Sequence, residues 1–167
     1  TGISIDTRTL VPGDVFVAIK GEQCDGHDFI EMAIEKGASM VIACDKTPLK
    51  EIVGGCPILK VEDTIQAIGE LAHLHRLQFK VPVIGITGSN GKTTVKSMVG
   101  SIFSQFSSPL VTQGNLNNHL GVPLTLSRLK KEHKVAIIEM GANHMDDIRY
   151  LCALAKPTIT LVNNVMN

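Results

Sequence analysis

The stretch that most restricts the fold is residues 83–87, Val-Ile-Gly-Ile-Thr, which runs into Gly88-Ser89-Asn90-Gly91-Lys92-Thr93-Thr94 and then a helix-forming segment over 92–106. A strand apolar at successive positions has to be covered on both faces, as in a parallel sheet flanked by helices. The downstream sequence continues the alternation: a short strand over 110–112, a helix around 122–129, a strand over 135–139, a helix near 146–155 and a last strand over 158–162. The pattern predicts an α/β fold with a mostly parallel sheet.

The first eighty residues read as a separate, smaller α/β unit. Val11-Pro12-Gly13-Asp14 is a turn, and a strand over 15–19 follows it. Asp28 with Glu31 resembles a capping box, Phe29, Ile30, Ala33 and Ile34 form an apolar face, and Gly37 stands where a helix ends. Residues 40–43 and 58–61 are further strands. A helix over 64–79 carries Ile65, Ile68, Leu71, Ala72 and His75 on one stripe. The pattern changes at 80–82, which divides the chain into domains 1–80 and 81–167.

Composition narrows the partners. Sixteen Lys and Arg balance sixteen Asp and Glu, so no overall field draws the chain to nucleic acid or to a membrane surface. No apolar run reaches the roughly 18 residues of a membrane span, so no membrane insertion is expected. Cys24, Cys44, Cys56 and Cys152 show neither C-x-x-C spacing nor histidines at zinc-finger offsets, which reads as reduced thiols in a cytoplasmic protein.

The glycine turn between strand and helix is the most specific local motif. Gly88 and Gly91 let the backbone come close to an anion, and the amides of Ser89, Asn90, Gly91, Lys92, Thr93 and Thr94 favour negative charge. Lys92 suits β and γ phosphates and the Thr93 hydroxyl suits Mg²⁺, so ATP with Mg²⁺ is the expected ligand. The first glycine of the usual phosphate-loop pattern is replaced by Ile86. Glu139 ends the run 135–138, so it lies at the carboxyl edge of a parallel strand, where a carboxylate can complete a Mg²⁺ site. Lys92 and Glu139 are the candidate catalytic residues; Thr93 and Glu139 are the candidate metal ligands. A plain acidic strand cap remains the alternative for Glu139. His144 could serve the same site or simply open a helix, and His27 could simply belong to the turn Asp25-Gly26-His27. His73 and His75, two apart on a helix, share no face.

The run 87–94, with Gly114-Asn115-Leu116-Asn117-Asn118, Gly121-Val122-Pro123 and 138–144 (Ile-Glu-Met-Gly-Ala-Asn-His), resembles the Mur ligases. It is closest to the branch that joins D-alanyl-D-alanine to a UDP-N-acetylmuramoyl-tripeptide for the cell wall. Asp6-Thr7-Arg8, the run 12–18, Lys20-Gly21-Glu22 and the run 25–29 extend the resemblance to nearly the whole chain.

The resemblance implies a UDP-muramoyl-binding domain over 1–80 and part of a phosphate-loop ATPase domain over 81–167. Thr7, Arg8, Glu22, Gln23 and Cys24 would hold the UDP end, and Asn117 and Asn118 the muramoyl-peptide. The implied chemistry is attack of the peptide carboxylate on the γ-phosphate of ATP, then displacement of phosphate by the amine of D-alanyl-D-alanine. Three departures matter. Thr7 stands where serine is common; Val165-Met166-Asn167 replaces an expected Gly-Pro-Ala-His; and the carbamylated lysine, the rest of the ATPase domain and a closing C-terminal domain are missing. This piece alone is therefore expected to be inactive. Competing readings are a sister branch of these ligases, a folylpolyglutamate-type ligase, a phosphate-loop kinase or GTPase, and a non-catalytic UDP-sugar module.

Overall fold

The computed structural model describes residues 2–48 and 52–165. The tail departure expected at 165–167 therefore lies, from Met166 on, outside the described residues. The chain divides into two compact units, 1–68 and 69–167.

In the first unit β1 (Ile3–Ser4), β2 (Val15–Val17), α1 (Ile30–Glu35), β3 (Met40–Cys44), β4 (Ile52–Val53) and β5 (Cys56–Val61) build a sheet of order β1-β2-β3-β5-β4. Every pair is parallel except β4 with β5. That hairpin turns on Gly54 and Gly55, both at positive φ (57° and 81°), which two glycines adopt without steric cost. Phe16, Ala18, Val41, Ala43 and Ile58 pack with Ile30 and Ala33 of α1. The alternate positions Val17 and Ile42 are buried as well, which is why these strands read as unbroken apolar runs.

The helix start differs from the expectation. Asp25, not Asp28, is the cap: its side chain accepts from the His27 amide, and a 3₁₀ turn over Gly26–Phe29 precedes α1. Asp28 donates its amide to Asp25 O (3.1 Å) and so lies inside that turn. Gly37 ends α1 at φ 87°, with its amide on Ile34 O.

α2 (Thr64–Leu77) carries the division between the units within it, twelve residues ahead of the change seen in sequence. Side chains after Ile68 explain the shift. Ala72 joins the second unit's core, and Arg76 Nε donates to Ala155 O (3.0 Å). His73 Nδ1 and His75 Nε2 each lie 2.9 Å from a carbonyl, of Leu154 and Leu129 respectively. The buried stripe thus runs through Ile68, Ala72 and Arg76, leaving Leu71 exposed. The Arg76 guanidinium, also bonded to Phe79 O and Val81 O, occupies the turn after Ala72, where the apolar pattern placed His75.

The second unit continues with β6 (Val83–Thr87), α3 (Lys92–Ser104), β7 (Pro109–Val111), α4 (Gly121–Leu126), β8 (Val135–Glu139), α5 (Asp147–Ala155) and β9 (Ile159–Val162). Its sheet has the order β7-β8-β6-β9 and is parallel throughout. Val95, Val99 and Phe103 of α3 cover one face, at Ile84, Ile86, Val135 and Ile137. Ala72, Val122, Leu126, Leu151 and Leu154 cover the other, at Val83, Ala136, Ile138 and Met140. Each fully buried aliphatic chain contributes on the order of 1.5–3 kcal/mol, so coverage of both faces outweighs helix propensity in fixing this sheet.

Candidate functional site

β6 delivers the chain to the glycine loop at the carboxyl edge of the sheet. Gly88 takes φ 137° and Gly91 φ 75°. A Cβ at Gly88 would stand 3.0 Å from the backbone N and O of Asn164, so only glycine allows this approach. Val95 N closes the first helical bond, on Gly91 O (3.0 Å). The amides of Lys92, Thr93 and Thr94 therefore precede the helical ladder and form a positive end suited to an anion. Lys92 Nζ donates to Gly88 O at 2.7 Å, which folds its cation over the loop. A cleft of about 330 Å³ opens there, lined among others by Thr87, Gly88, Ser89, Lys92 and Asn164.

Two loop amides are already engaged: Ser89 N donates to Asn164 O and Asn90 N to Asn164 Oδ1, each at 2.9 Å. Asn163 Nδ2 donates to Asn90 O (2.6 Å). Sequence reasoning missed this pair, although its position after the strand beside β6 (Thr87↔Val162) offered a clue.

Glu139 is the centre of the second cluster. Register pairs it with Ile86, next to the loop, and it is 1% exposed. Thr93 Oγ1 and Asn117 Nδ2 both donate to its Oε1, at 3.1 and 2.8 Å. Lys96 Nζ lies 3.3 Å from Oε2 and donates to Gly114 O at 3.0 Å. The charges at Lys96 and Oε2 are adjacent but not aligned as a hydrogen bond, so Oε2 is buried without a hydrogen-bond donor. Thr112 Oγ1 accepts from the Glu139 amide (3.0 Å), which fixes the backbone behind the carboxylate.

The structure thus brings Thr93, Glu139 and Asn117 together and adds Lys96, which the sequence reading passed over as one more helical lysine. Its spacing, three residues after Thr93 on the same helix face, was the available signal. Asn118 is placed differently. Its Oδ1 accepts from the amides of Leu120 and Gly121, at 3.2 and 2.8 Å, and so supports the start of α4. Thr94 is exposed in the first turn of α3. His144 is also exposed, and its backbone amide donates to Asp147 Oδ2. Among the described residues no three His, Cys, Asp or Glu side chains are grouped to hold a metal ion.

In the first unit a cleft of about 450 Å³ is lined among others by Asp6, Thr7, Arg8, Phe16 and Cys24. Arg8 is mostly exposed and grips Asp6 through Nε and Nη2 (3.0 and 2.6 Å). These hydrogen bonds, with the Arg8 amide, hold the Asp6 carboxyl down at about 2. Asp6, read in sequence only as part of the run Asp6-Thr7-Arg8, was left out of the set for the UDP end, and its place two before Arg8 was the clue. Thr7 is buried, with its hydroxyl on Met32 Sδ (3.4 Å) and its carbonyl accepting from Lys36 Nζ (2.8 Å). Glu22 and Gln23 are exposed and do not line this cleft. His27 is held inside the turn: its Nδ1 meets Asp25 and its Nε2 accepts from the Cys44 amide.

Comparison with known proteins covers both units. Residues 86–167 match the family described as Mur ligase middle domain, and residues 1–76 match Mur ligase family, catalytic domain. The UDP-N-acetylmuramoyl-tripeptide--D-alanyl-D-alanine ligase of Escherichia coli (strain K12) is 45% identical over 163 residues, covering 98% of this chain and 35% of the relative. The crystal structure of MurF from Acinetobacter baumannii superposes with TM-score 0.85 at 40% identity, over 96% of this chain and 34% of that one. The MurF ligase from Thermotoga maritima in complex with ADP gives TM-score 0.84 at 35% identity, over 98% and 37%. The chain therefore spans about a third of the length of the relatives it matches.

Proposed function

The chain belongs to the Mur ligase family, and we propose that, within its full-length protein, it serves the ATP-dependent addition of D-alanyl-D-alanine to a UDP-N-acetylmuramoyl-tripeptide. The reaction is an amide ligation in the making of peptidoglycan precursors. The observation that carries the reading is the cluster of Thr93, Glu139 and Asn117 beside the glycine loop. The names of the E. coli relative and of the ADP-bound Thermotoga structure support the same assignment. Nucleotide substrates and free cysteines support the cytoplasm as the place of this work.

Under this reading the amides at the start of α3, Lys92 to Thr94, hold the ATP phosphates, while Gly88 to Gly91 shape the loop, with the Ser89 and Asn90 amides tied to Asn164. Lys92 offsets the repulsion between the γ-phosphate and the incoming carboxylate, an electrostatic and positional form of catalysis. Thr93 Oγ1 and the Glu139 carboxylate are hard oxygen donors. Oε1, which meets Thr93 Oγ1, is the oxygen that a cation would reach, because Oε2 faces Lys96 Nζ at 3.3 Å; water and phosphate would complete its shell. Bound there, Mg²⁺ would draw charge from the phosphate oxygens. Asn117 orients Glu139 and, with the amide of Asn118, faces the muramoyl-peptide. The peptide carboxylate takes the γ-phosphoryl group as ADP leaves, and the amine of D-alanyl-D-alanine then expels phosphate and gives up a proton to leave the amide. Asp6, Thr7, Arg8 and Cys24 form the seat for the UDP end. Glu22 and Gln23, on the neighbouring loop, are the weakest members of that set.

The test is calorimetric titration of the full-length protein with UDP-N-acetylmuramoyl-tripeptide beside UDP-glucose, together with phosphate release on adding D-alanyl-D-alanine. Selective tripeptide binding, lost with Thr7→Ala and Arg8→Ala, and phosphate release that requires D-alanyl-D-alanine are expected. Equal affinity for UDP-glucose, or release driven as well by another amine, would refute the assignment. The 167 residues alone, about a third of the relatives' length, are expected to release no phosphate.

A further inference from the structure

Lys96 is an unusual lysine. It sits in the second turn of α3 with its side chain only 5% exposed, although a helical lysine ordinarily keeps its ammonium in water. Two groups from different segments hold it there: Glu139 Oε2 at 3.3 Å and the Gly114 carbonyl at 3.0 Å. A buried ammonium is tolerated only when such partners replace its hydration.

The segment around Gly114 is where this matters. Gly114 takes φ 52°, and no atom lies within 4 Å of where its Cβ would be, so no side-chain packing fixes the loop at that point. Three residues later Asn117 places Nδ2 on Glu139 Oε1 (2.8 Å) and accepts the Gly141 amide at its carbonyl (2.7 Å). Lys96 and Asn117 therefore meet opposite oxygens of one carboxylate, and Lys96 also holds the segment that carries Asn117.

We propose that Lys96 is a positioning residue that sets the 114–118 loop against Glu139, so that a lysine buried out of reach of substrate governs how well the muramoyl-peptide is held. The inference rests on the reading that Asn117 and Asn118 face that peptide. The glycine turn itself is tied elsewhere: Ser89 and Asn90 bond Asn163 and Asn164 on the other side of β6, and only Thr93, at the start of α3, shares the Glu139 carboxylate.

The experiment measures UDP-N-acetylmuramoyl-tripeptide and ADP binding by calorimetry, without magnesium, on full-length wild type, Lys96→Met, Asn117→Ala and the double variant. Lys96→Met is expected to weaken tripeptide binding about tenfold, the scale of coupling within one polar network, while ADP affinity stays within about twofold. The double variant should bind tripeptide no more weakly than the worse single variant, because both changes release the same loop. Parallel loss of ADP affinity would make Lys96 a general structural residue and overturn the proposal, as would additive losses in the double variant. Tripeptide binding that falls with Asn117→Ala but not with Lys96→Met would overturn the proposal and leave the peptide site standing. Binding unchanged by Asn117→Ala would remove the peptide site and the inference with it. If Lys96→Met does not fold, Lys96→Met with Glu139→Gln, compared with Glu139→Gln alone, asks the same question, since the amide keeps an acceptor for Asn117 and needs no counter-ion. The same tenfold step is then expected, and its absence overturns the proposal.

Discussion

The two units hold their charges in opposite ways. In the first, Asp6 and Arg8 pair in water at the rim of a cleft, and the residues beneath them are apolar. In the second, Glu139 and Lys96 are enclosed at the end of a sheet covered on both faces, and the carboxylate's polar partners are Thr93 and Lys96 of α3 and Asn117 of the loop before α4. A surface pair contributes at most about 1 kcal/mol, whereas removing one partner of a buried pair leaves an uncompensated charge and costs about 3–5 kcal/mol. The lesson is that a change at the rim has little effect on folding, while a change in the enclosed cluster carries a cost in stability.

Glu139→Ala should break that contrast most severely. It leaves Lys96 buried without its carboxylate, and a loss of about 3–5 kcal/mol is expected in the second unit. Hydrogen exchange at the β6 and β8 amides is the measurement, with the first unit's strands as internal reference; loss of protection in both units alike would deny that the cluster is local. Arg8→Ala is the matching change in the first unit, with little stability lost at neutral pH because the pair is exposed and UDP-ligand affinity lowered about tenfold. Its sharper readout is Asp6, whose carboxyl should climb from about 2 toward the ordinary 3.8 in an NMR titration. The sign follows from linkage. A depressed carboxylate contributes stability that is present above its unfolded value and is lost as pH falls through about 2. In the variant that acid-side loss should vanish, and an unmoved Asp6 would mean that Arg8 does not govern it. The smallest effect belongs to Glu22→Gln, outside the cleft lining: tripeptide affinity should change less than about twofold. A larger change by calorimetry would restore Glu22 to the site.

How much of this was legible in the sequence depended on burial. β6 and β8 were readable to the residue because continuous apolar runs have few alternatives, and the glycine loop was readable because φ values of 137° and 75° at Gly88 and Gly91 leave a mark in residue type. β1 and β4 span two residues each, too few for any periodicity. Lys96 and Arg76 were hidden for one shared reason: a charged residue on a helix reads as solvent-facing, and only the tertiary partners reveal that it is enclosed. Asn118 was visible as a polar residue, yet nothing local distinguished a ligand contact from support of α4.

The position of the unit division inside α2 has a consequence for synthesis. Everything in the first unit's core precedes residue 68 in the chain, so its residues leave the ribosome together. The latter half of α2 is made with them, but Arg76 must wait for Ala155, 79 residues later in translation. During that interval the Arg76 guanidinium has only its local partners, Phe79 O and Val81 O, and its Nε stays in water until the end of α5 is made.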